Sequence, residues 1–233
     1  MKHLLLDLDD TLLDYSGGVD ECWSASCTMG CADGVLDAAA LVREVVASRR
    51  WFWDDPARHR RERVNMLGAW TKIVVEALVR CGCPDEALAA AIARDYAARR
   101  REMMQLFPES RAVLEALRTR GLPLALVTNG DALQQRDKIQ RHDLARYFGA
   151  IVIEGEFGCG KPQERVYREA LRQLGVGPEG VWMVGDNLEW DVVAPQRLGF
   201  TGVWIDREGA GLPPTHADAR PHRIIRSLSE LLT

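Results

Sequence analysis

Three aspartates stand within four positions near the N-terminus, in the run Asp7-Leu8-Asp9-Asp10, directly after apolar residues. In an extended strand, residues two apart point to the same side, so Asp7 and Asp9 are expected to share a face. Neighbouring carboxylates repel, and only a cation or a shared proton offsets that repulsion in an apolar setting. A hard divalent cation such as Mg²⁺ suits the need, because it takes oxygen ligands and leaves room for a phosphate oxygen. Thr128-Asn129-Gly130 offers a hydroxyl and backbone N–H groups, a set that can cradle an anion. Lys161-Pro162 places an ammonium just before a helix, so that both would face an anion. The chain has 26 Arg and only four Lys, which makes a lysine here notable. In Gly185-Asp186-Asn187-Leu188-Glu189-Trp190-Asp191, the two aspartates Asp186 and Asp191 could bracket one cation, one directly and one through water.

Each group alone has a plain structural reading: an acidic turn, a helix cap, a surface lysine, a helix-dipole residue. Their placement is what joins them. Short apolar runs at 3–8, 122–127, 150–153, 181–184 and 202–205 read as strands buried on both faces of a parallel sheet. Helical patterns at 111–119, 163–174 and 189–198 alternate with them, each followed closely by glycine, with Pro195 expected to shorten or kink the third. This alternation predicts a doubly wound, Rossmann-like α/β core. All four reactive groups then fall at C-terminal strand ends, which in an open α/β sheet converge on one ligand-binding crevice.

Residues 15–105 differ. They hold no convincing strand, carry helical patterns at 64–79 and 86–104, and balance 13 basic against 13 acidic residues. They read as an all-helical insert, so the expected division is a core of 1–14 and 106–233 and a helical domain of 15–105. The Gly- and Pro-rich stretch 209–221 reads as an exposed loop. The net charge of −4 lies wholly on the core and gives no basic excess for nucleic-acid binding. No uncharged apolar run nears the roughly 20 residues of a membrane span, and the early aspartates interrupt any signal-peptide core. A cytoplasmic protein without membrane or nucleic-acid partners is expected. Six cysteines are too sparse for a disulfide framework. Cys27/Cys31 and Cys81/Cys83 match paired zinc spacing imperfectly, so buried free thiols are expected.

The four elements in this order resemble the haloacid dehalogenase-like superfamily. The likeness rests on Asp7-Leu8-Asp9, Phe107-Pro108, Leu126-Val127-Thr128-Asn129-Gly130, Lys161-Pro162 and Val184-Gly185-Asp186, and covers residues 3–14 and nearly everything after Leu106. The resemblance implies that Asp7 is a nucleophile forming an aspartyl-phosphate, and that Asp9 is the acid for the leaving alcohol and then the base for water. It implies that Thr128 and Lys161 hold phosphoryl oxygens, with Asp10 and Asn129 adding backbone N–H groups. Mg²⁺ would be held by Asp7, the backbone carbonyl of Asp9, and Asp186, with Asp191 in support. The dehalogenases of the family lack the acid at the position of Asp9, since halide leaves without a proton. The implied function is therefore a Mg²⁺-dependent phosphatase of a small phosphorylated metabolite, such as a sugar phosphate or nucleoside monophosphate. One departure is Val192-Val193-Ala194-Pro195, where relatives more often have a Gly-Ala pair.

The insert resembles the family's helical cap, which closes over the core and selects the leaving group. Trp51-Phe52-Trp53 and Arg58, His59, Arg60, Arg61 and Arg63 are its candidate substrate groups, although an aromatic core segment followed by a solvated face explains them as well. A phosphomutase would return the phosphoryl group to a second hydroxyl. A phosphonate-cleaving relative would need a cap lysine, and Lys72, the insert's one lysine, sits in an apolar run. A phospho-acceptor switch of the receiver type also combines acids, Thr and Lys on a parallel sheet, but it is shorter and has no insert. The oligomeric state is not legible.

Overall fold

A computed structural model describes residues 1–233. The chain divides into two compact units, one of residues 1–15 with 105–233 and one of residues 16–104.

The helical unit holds α1 (Val19–Gly30), α2 (Ala38–Asp54), α3 (Pro56–Glu62), α4 (Met66–Arg80) and α5 (Glu86–Met103). Four of the five begin at an Asp or Asn whose side chain accepts a first-turn N–H: Asp37, Asp55, Asn65 and Asp85. Their inner faces bury Trp23, Trp70, Ile73 and Tyr96. Trp23 stacks on Tyr96 with ring centroids 3.6 Å apart, and Trp70 meets Tyr96 edge-on. The helices α1, α2 and α3 fall in stretches where the sequence pattern named no individual helix.

The other unit is built on six parallel strands: β1 (His3–Leu6), β2 (Leu124–Thr128), β3 (Ala150–Ile153), β4 (Val181–Gly185), β5 (Thr201–Ile205) and β6 (Arg223–Ile225). Their order is β3-β2-β1-β4-β5-β6. This is the doubly wound arrangement expected from the alternation of strands and helices, and its order reverses between β1 and β4. Helices α6 (Ser110–Thr119), α7 (Ala132–Arg141), α8 (Glu154–Phe157), α9 (Glu164–Leu174) and α10 (Ala194–Arg197) connect the strands. One core beneath the sheet joins Leu5, Val127, Val152 and Met183 to Val166 and Tyr167 of α9.

The helices α7 and α8 lay outside the expected pattern, and two further features depart from it. The third expected helix, 189–198, is a π-helical turn over Leu188–Val193 that passes into the short α10. Pro195 has no N–H to offer the preceding turn, and the Trp190 carbonyl accepts the Tyr167 hydroxyl at 2.5 Å. The strand β6, which pairs with β5, lay outside the expected five. No helix is long and apolar enough to cross a membrane.

Candidate active site

The centre of the site is a buried lysine. Lys161 lies between β3 and α9, is 1% exposed, and its Nζ reaches Asp7 Oδ1 and Asp191 Oδ1, each at 2.7 Å. The carboxylates of Asp7, Asp186 and Asp191 lie within 4.8 Å of one another. They come from the ends of β1 and β4, the two strands that flank the point where the sheet order reverses. The Asp7 N–H donates to the Val184 carbonyl at 3.0 Å, which extends the β1–β4 ladder to the first reactive residue.

Local chemistry holds each ligand in place. The Asp191 carboxylate accepts the Asn187 N–H at 3.1 Å, and the Asn187 side chain accepts the Trp190 N–H at 3.0 Å. The Trp204 indole donates to the Asp186 carbonyl at 2.8 Å. A Cβ added at Gly185 would stand 2.2 Å from Asp191 Oδ2, so only glycine lets that carboxylate lie against the strand end. Gly185→Ala is therefore expected to displace Asp191 and weaken divalent-cation binding about tenfold or more, the scale of lost ligand support. The cation concentration giving half of the maximal thermal shift measures it, and an unchanged midpoint contradicts the expectation.

Fully ionised, three carboxylates against one ammonium would leave two negative charges in a buried space. Burial above all, and then Asp191, push the Asp7 carboxyl up to about 7 against the pull of Lys161. Burial, and then the charges of Asp7 and Asp191, push Asp186 up to about 9. A divalent cation neutralises the surplus, and three oxygen donors suit a hard ion. The residues present therefore fit a metal ion.

A carboxyl with a raised folded-state pKa binds more protons folded than unfolded. The cation-free protein thus loses stability as pH rises from the ordinary value of 3.8 to about 7 for Asp7 and about 9 for Asp186. A cation that binds the ionised groups restores most where they are most ionised. Mg²⁺ is expected to raise the melting temperature more at about pH 8.5 than at about pH 5. An equal rise at both pH values, or none, contradicts the reading.

Asp9 lies elsewhere. Its extended alternation with Asp7 ends because β1 stops at Leu6. Its carboxylate accepts Lys138 Nζ at 2.8 and 2.9 Å and Gln135 Nε2 at 3.0 Å, both from α7. Asp7 and Asp9 thus have separate hydrogen-bond partners, each with its own buried lysine, while the charge of Asp9 still acts on Asp7. The Asp9 side chain is not part of the three-carboxylate group. Asp10 has a left-handed backbone, φ 57°, and its side chain accepts the Tyr15 N–H.

Thr128 is buried at the end of β2, and its Oγ1 accepts Gln135 Nε2 at 2.6 Å. Asn129 does more than offer its backbone. Its side chain accepts the Lys161 N–H at 2.7 Å and donates to the Lys161 carbonyl at 2.8 Å, holding the lysine's backbone on both sides. A cis peptide joins Pro162 to Lys161, and α9 starts at Glu164, one residue after the expected 163.

Three residues escaped the sequence reading: Gln135, Lys138 and Arg207. Arg207, after β5, donates to the Thr11 carbonyl at 2.5 Å, pairs with Glu109 at 2.8 Å, and lies 3.4 Å over the Phe107 ring. It braces the backbone that follows Asp9. A lysine at helical spacing from a polar residue after Thr128-Asn129-Gly130 was the available signal for the α7 pair.

In the helical unit, Arg58 lies 3.9 Å over the Trp51 ring and donates to the Trp51 carbonyl. Arg61 and Lys72 both pair with the buried Glu62, and Trp53 meets His59 edge-on. Phe52 is buried, so the segment packs as a core edge with a charged outer face. Lys72 points to that face rather than into the core. Cys22, Cys27, Cys31, Cys81 and Cys83 are free, and burial pushes the Cys27 thiol up to about 12.

A family model described as haloacid dehalogenase-like hydrolase matches residues 1–199. A phosphoserine phosphatase of Thermus thermophilus is 36% identical over 99% of this chain and 98% of its own length. A glyceraldehyde 3-phosphate phosphatase of Methanopyrus kandleri is 29% identical over 100% of this chain and 96% of its own. The solved structure of a chain described as a HAD-hydrolase, YfnB of Bacillus subtilis, covers 99% of this chain and 96% of its own with a TM-score of 0.75 at 19% identity.

Proposed function

Because this chain belongs to the haloacid dehalogenase-like hydrolases, we propose that it is a Mg²⁺-dependent phosphatase that cleaves a small phosphomonoester through an aspartyl-phosphate on Asp7. It is a phosphoric monoester hydrolase, in keeping with two phosphatases matched over nearly their whole lengths. The observation that carries the mechanism is Lys161, buried and shared between Asp7 and Asp191 at 2.7 Å each, beside Asp186. That cluster is built to hold a carboxylate nucleophile next to a cation.

Asp7, the backbone carbonyl of Asp9 and Asp186, with Asp191 in support, would hold Mg²⁺, which would supply the positive charge that lets an anionic ester approach a carboxylate. Asp7 attacks phosphorus, forming the Asp7 oxygen–phosphorus bond as the ester oxygen–phosphorus bond breaks. Asp9, which enters the cycle carrying the proton taken from water in the preceding turnover and with one oxygen released from Lys138, gives that proton to the departing alkoxide, because an unprotonated alkoxide leaves poorly. Asp9 then takes a proton from the water that attacks phosphorus, and the bond to Asp7 breaks to give phosphate. Lys161 and the Thr128 hydroxyl hold the phosphoryl oxygens, and Asp10 and Asn129 add backbone N–H groups. Asn129 keeps Lys161 in place through its backbone.

The substrate class is a small phosphorylated metabolite. Phosphoserine and glyceraldehyde 3-phosphate, which the relatives' names specify, head the panel, followed by sugar phosphates and nucleoside monophosphates. Phosphate release from this panel with Mg²⁺, and its loss with EDTA, is the expected result. A single stoichiometric phosphorylation without turnover, or isomerisation without free phosphate, would overturn the phosphatase reading.

A further inference from the structure

We propose that Lys138 and Gln135 are positioning residues that aim the Asp9 carboxylate at the leaving group, an inference that rests on the acid–base role assigned to Asp9 above. Lys138 is 3% exposed, and its ammonium takes both Asp9 oxygens, at 2.8 and 2.9 Å. The Gln135 carbonyl oxygen accepts the same ammonium at 2.7 Å, so three partners match its three hydrogens. The ammonium also lies 4.4 Å from the Tyr15 ring centroid, which closes another side with an aromatic face. A carboxylate gripped at both oxygens by a buried cation has a fixed plane, which a single exposed contact would not impose.

Gln135 extends the arrangement. Its amide nitrogen reaches Asp9 Oδ2 at 3.0 Å and Thr128 Oγ1 at 2.6 Å. One planar group thus sets the spacing between the proton-transferring carboxylate and the phosphoryl-holding hydroxyl. With its oxygen accepting from Gln135, the Thr128 hydroxyl keeps its hydrogen to donate to an anion. In the structure that hydrogen bond goes to the Asn129 carbonyl at 3.3 Å, a long contact that a phosphoryl oxygen can replace. Both side chains project from α7, capped at its start by Asp131, so their support is a helix and not a loop. Two of the chain's four lysines are therefore buried, Lys161 on Asp7 and Lys138 on Asp9.

A purely structural ion pair would lower all activities alike when removed. A positioning pair affects the step in which the proton is needed. The test compares kcat/KM for p-nitrophenyl phosphate, whose leaving group needs little protonation, with kcat/KM for phosphoserine, an alkyl ester. This ratio reports the reaction only through departure of the first product. Lys138→Met is expected to lose about tenfold or more beyond its loss on the aryl ester, the scale of a misplaced catalytic group, and Lys138→Arg to recover part of it. Equal losses on both esters overturn the proposal. If Lys138→Met loses its cooperative melting transition, Gln135→Leu is read in the same way, and an unchanged ester ratio overturns the proposal. If the parent does not cleave phosphoserine, the alkyl phosphate of the panel above that it cleaves fastest takes its place; a parent that releases phosphate from no member of that panel overturns the phosphatase reading and this inference with it. A parent active on both, with Lys138 and Gln135 variants of unaltered ester ratio, overturns this inference alone.

Discussion

Asp7→Asn is expected to lower kcat by about 10⁴ or more while leaving the fold intact, the scale of removing a covalent nucleophile. A carboxamide keeps the size of the side chain and can still accept a hydrogen bond from Lys161, but it cannot form the acyl phosphate. The same change should raise the melting temperature in the absence of divalent cation. Burial and the charge of Asp191 already push the Asp7 carboxyl up to about 7, so the ionised group is held at a cost to stability. Removing one of three crowded negative charges relieves that cost. Steady-state kinetics and thermal melting with and without Mg²⁺ check both halves. A variant that keeps a tenth of the parent's activity would contradict the assignment of the nucleophile.

Asp9→Asn is expected to cost about 10² to 10⁴ in kcat/KM on an alkyl phosphate, the usual range for loss of a general acid, and much less on p-nitrophenyl phosphate. The physical reason is the leaving group. A nitrophenolate departs readily as an anion, whereas an alkoxide must be protonated as it departs. The geometry supports a separate role for this residue. Its carboxylate lies outside the three-carboxylate group and is held by Lys138 and Gln135. Equal losses on the two substrates would falsify the general-acid role.

The parts of this architecture that the sequence made legible are those governed by local patterns. Five short apolar runs bounded by Gly, Asn or Asp mark five parallel strands, because strands buried on both faces carry no polar alternation. The reactive groups followed from those ends. The three-residue β6 did not, since it is an edge strand with an exposed Ile224 and no repeating pattern. The helix α7 was missed because its polar run Gln134-Gln135-Arg136-Asp137-Lys138 has no apolar stripe. Gln135 and Lys138 are nevertheless its most important residues for the site, since they turn polar groups inward to meet Asp9. Only the packing of α7 against the strand ends exposes that role. Arg207 was hidden among the chain's 26 arginines, and its value lies in bracing Asp10 and Thr11, far away in sequence.

The Asp7–Asp9 pair shows the same limit at smaller scale. Strand periodicity places the two on one face only while the chain remains extended. The chain turns after Leu6, Asp10 takes a left-handed backbone, and the two carboxylates find different lysines. The turn fits the proposed chemistry. A nucleophile beside a cation and an acid–base group kept out of that cluster can occupy neighbouring positions in sequence without competing for the same charge. Likewise, Gly185 reads as a strand end in sequence, but in the structure it makes room for Asp191.

A transiently phosphorylated Asp7 can be trapped chemically. Borohydride reduces an acyl phosphate to the corresponding alcohol, so quenching the enzyme with it during turnover of a cleaved phosphomonoester should convert Asp7 to homoserine, read by peptide mass spectrometry. Conversion at position 7 that requires substrate and Mg²⁺, and is lost in Asp7→Asn, is the predicted result. Active turnover with Asp7 unmodified, or with the conversion at another carboxylate, would contradict it.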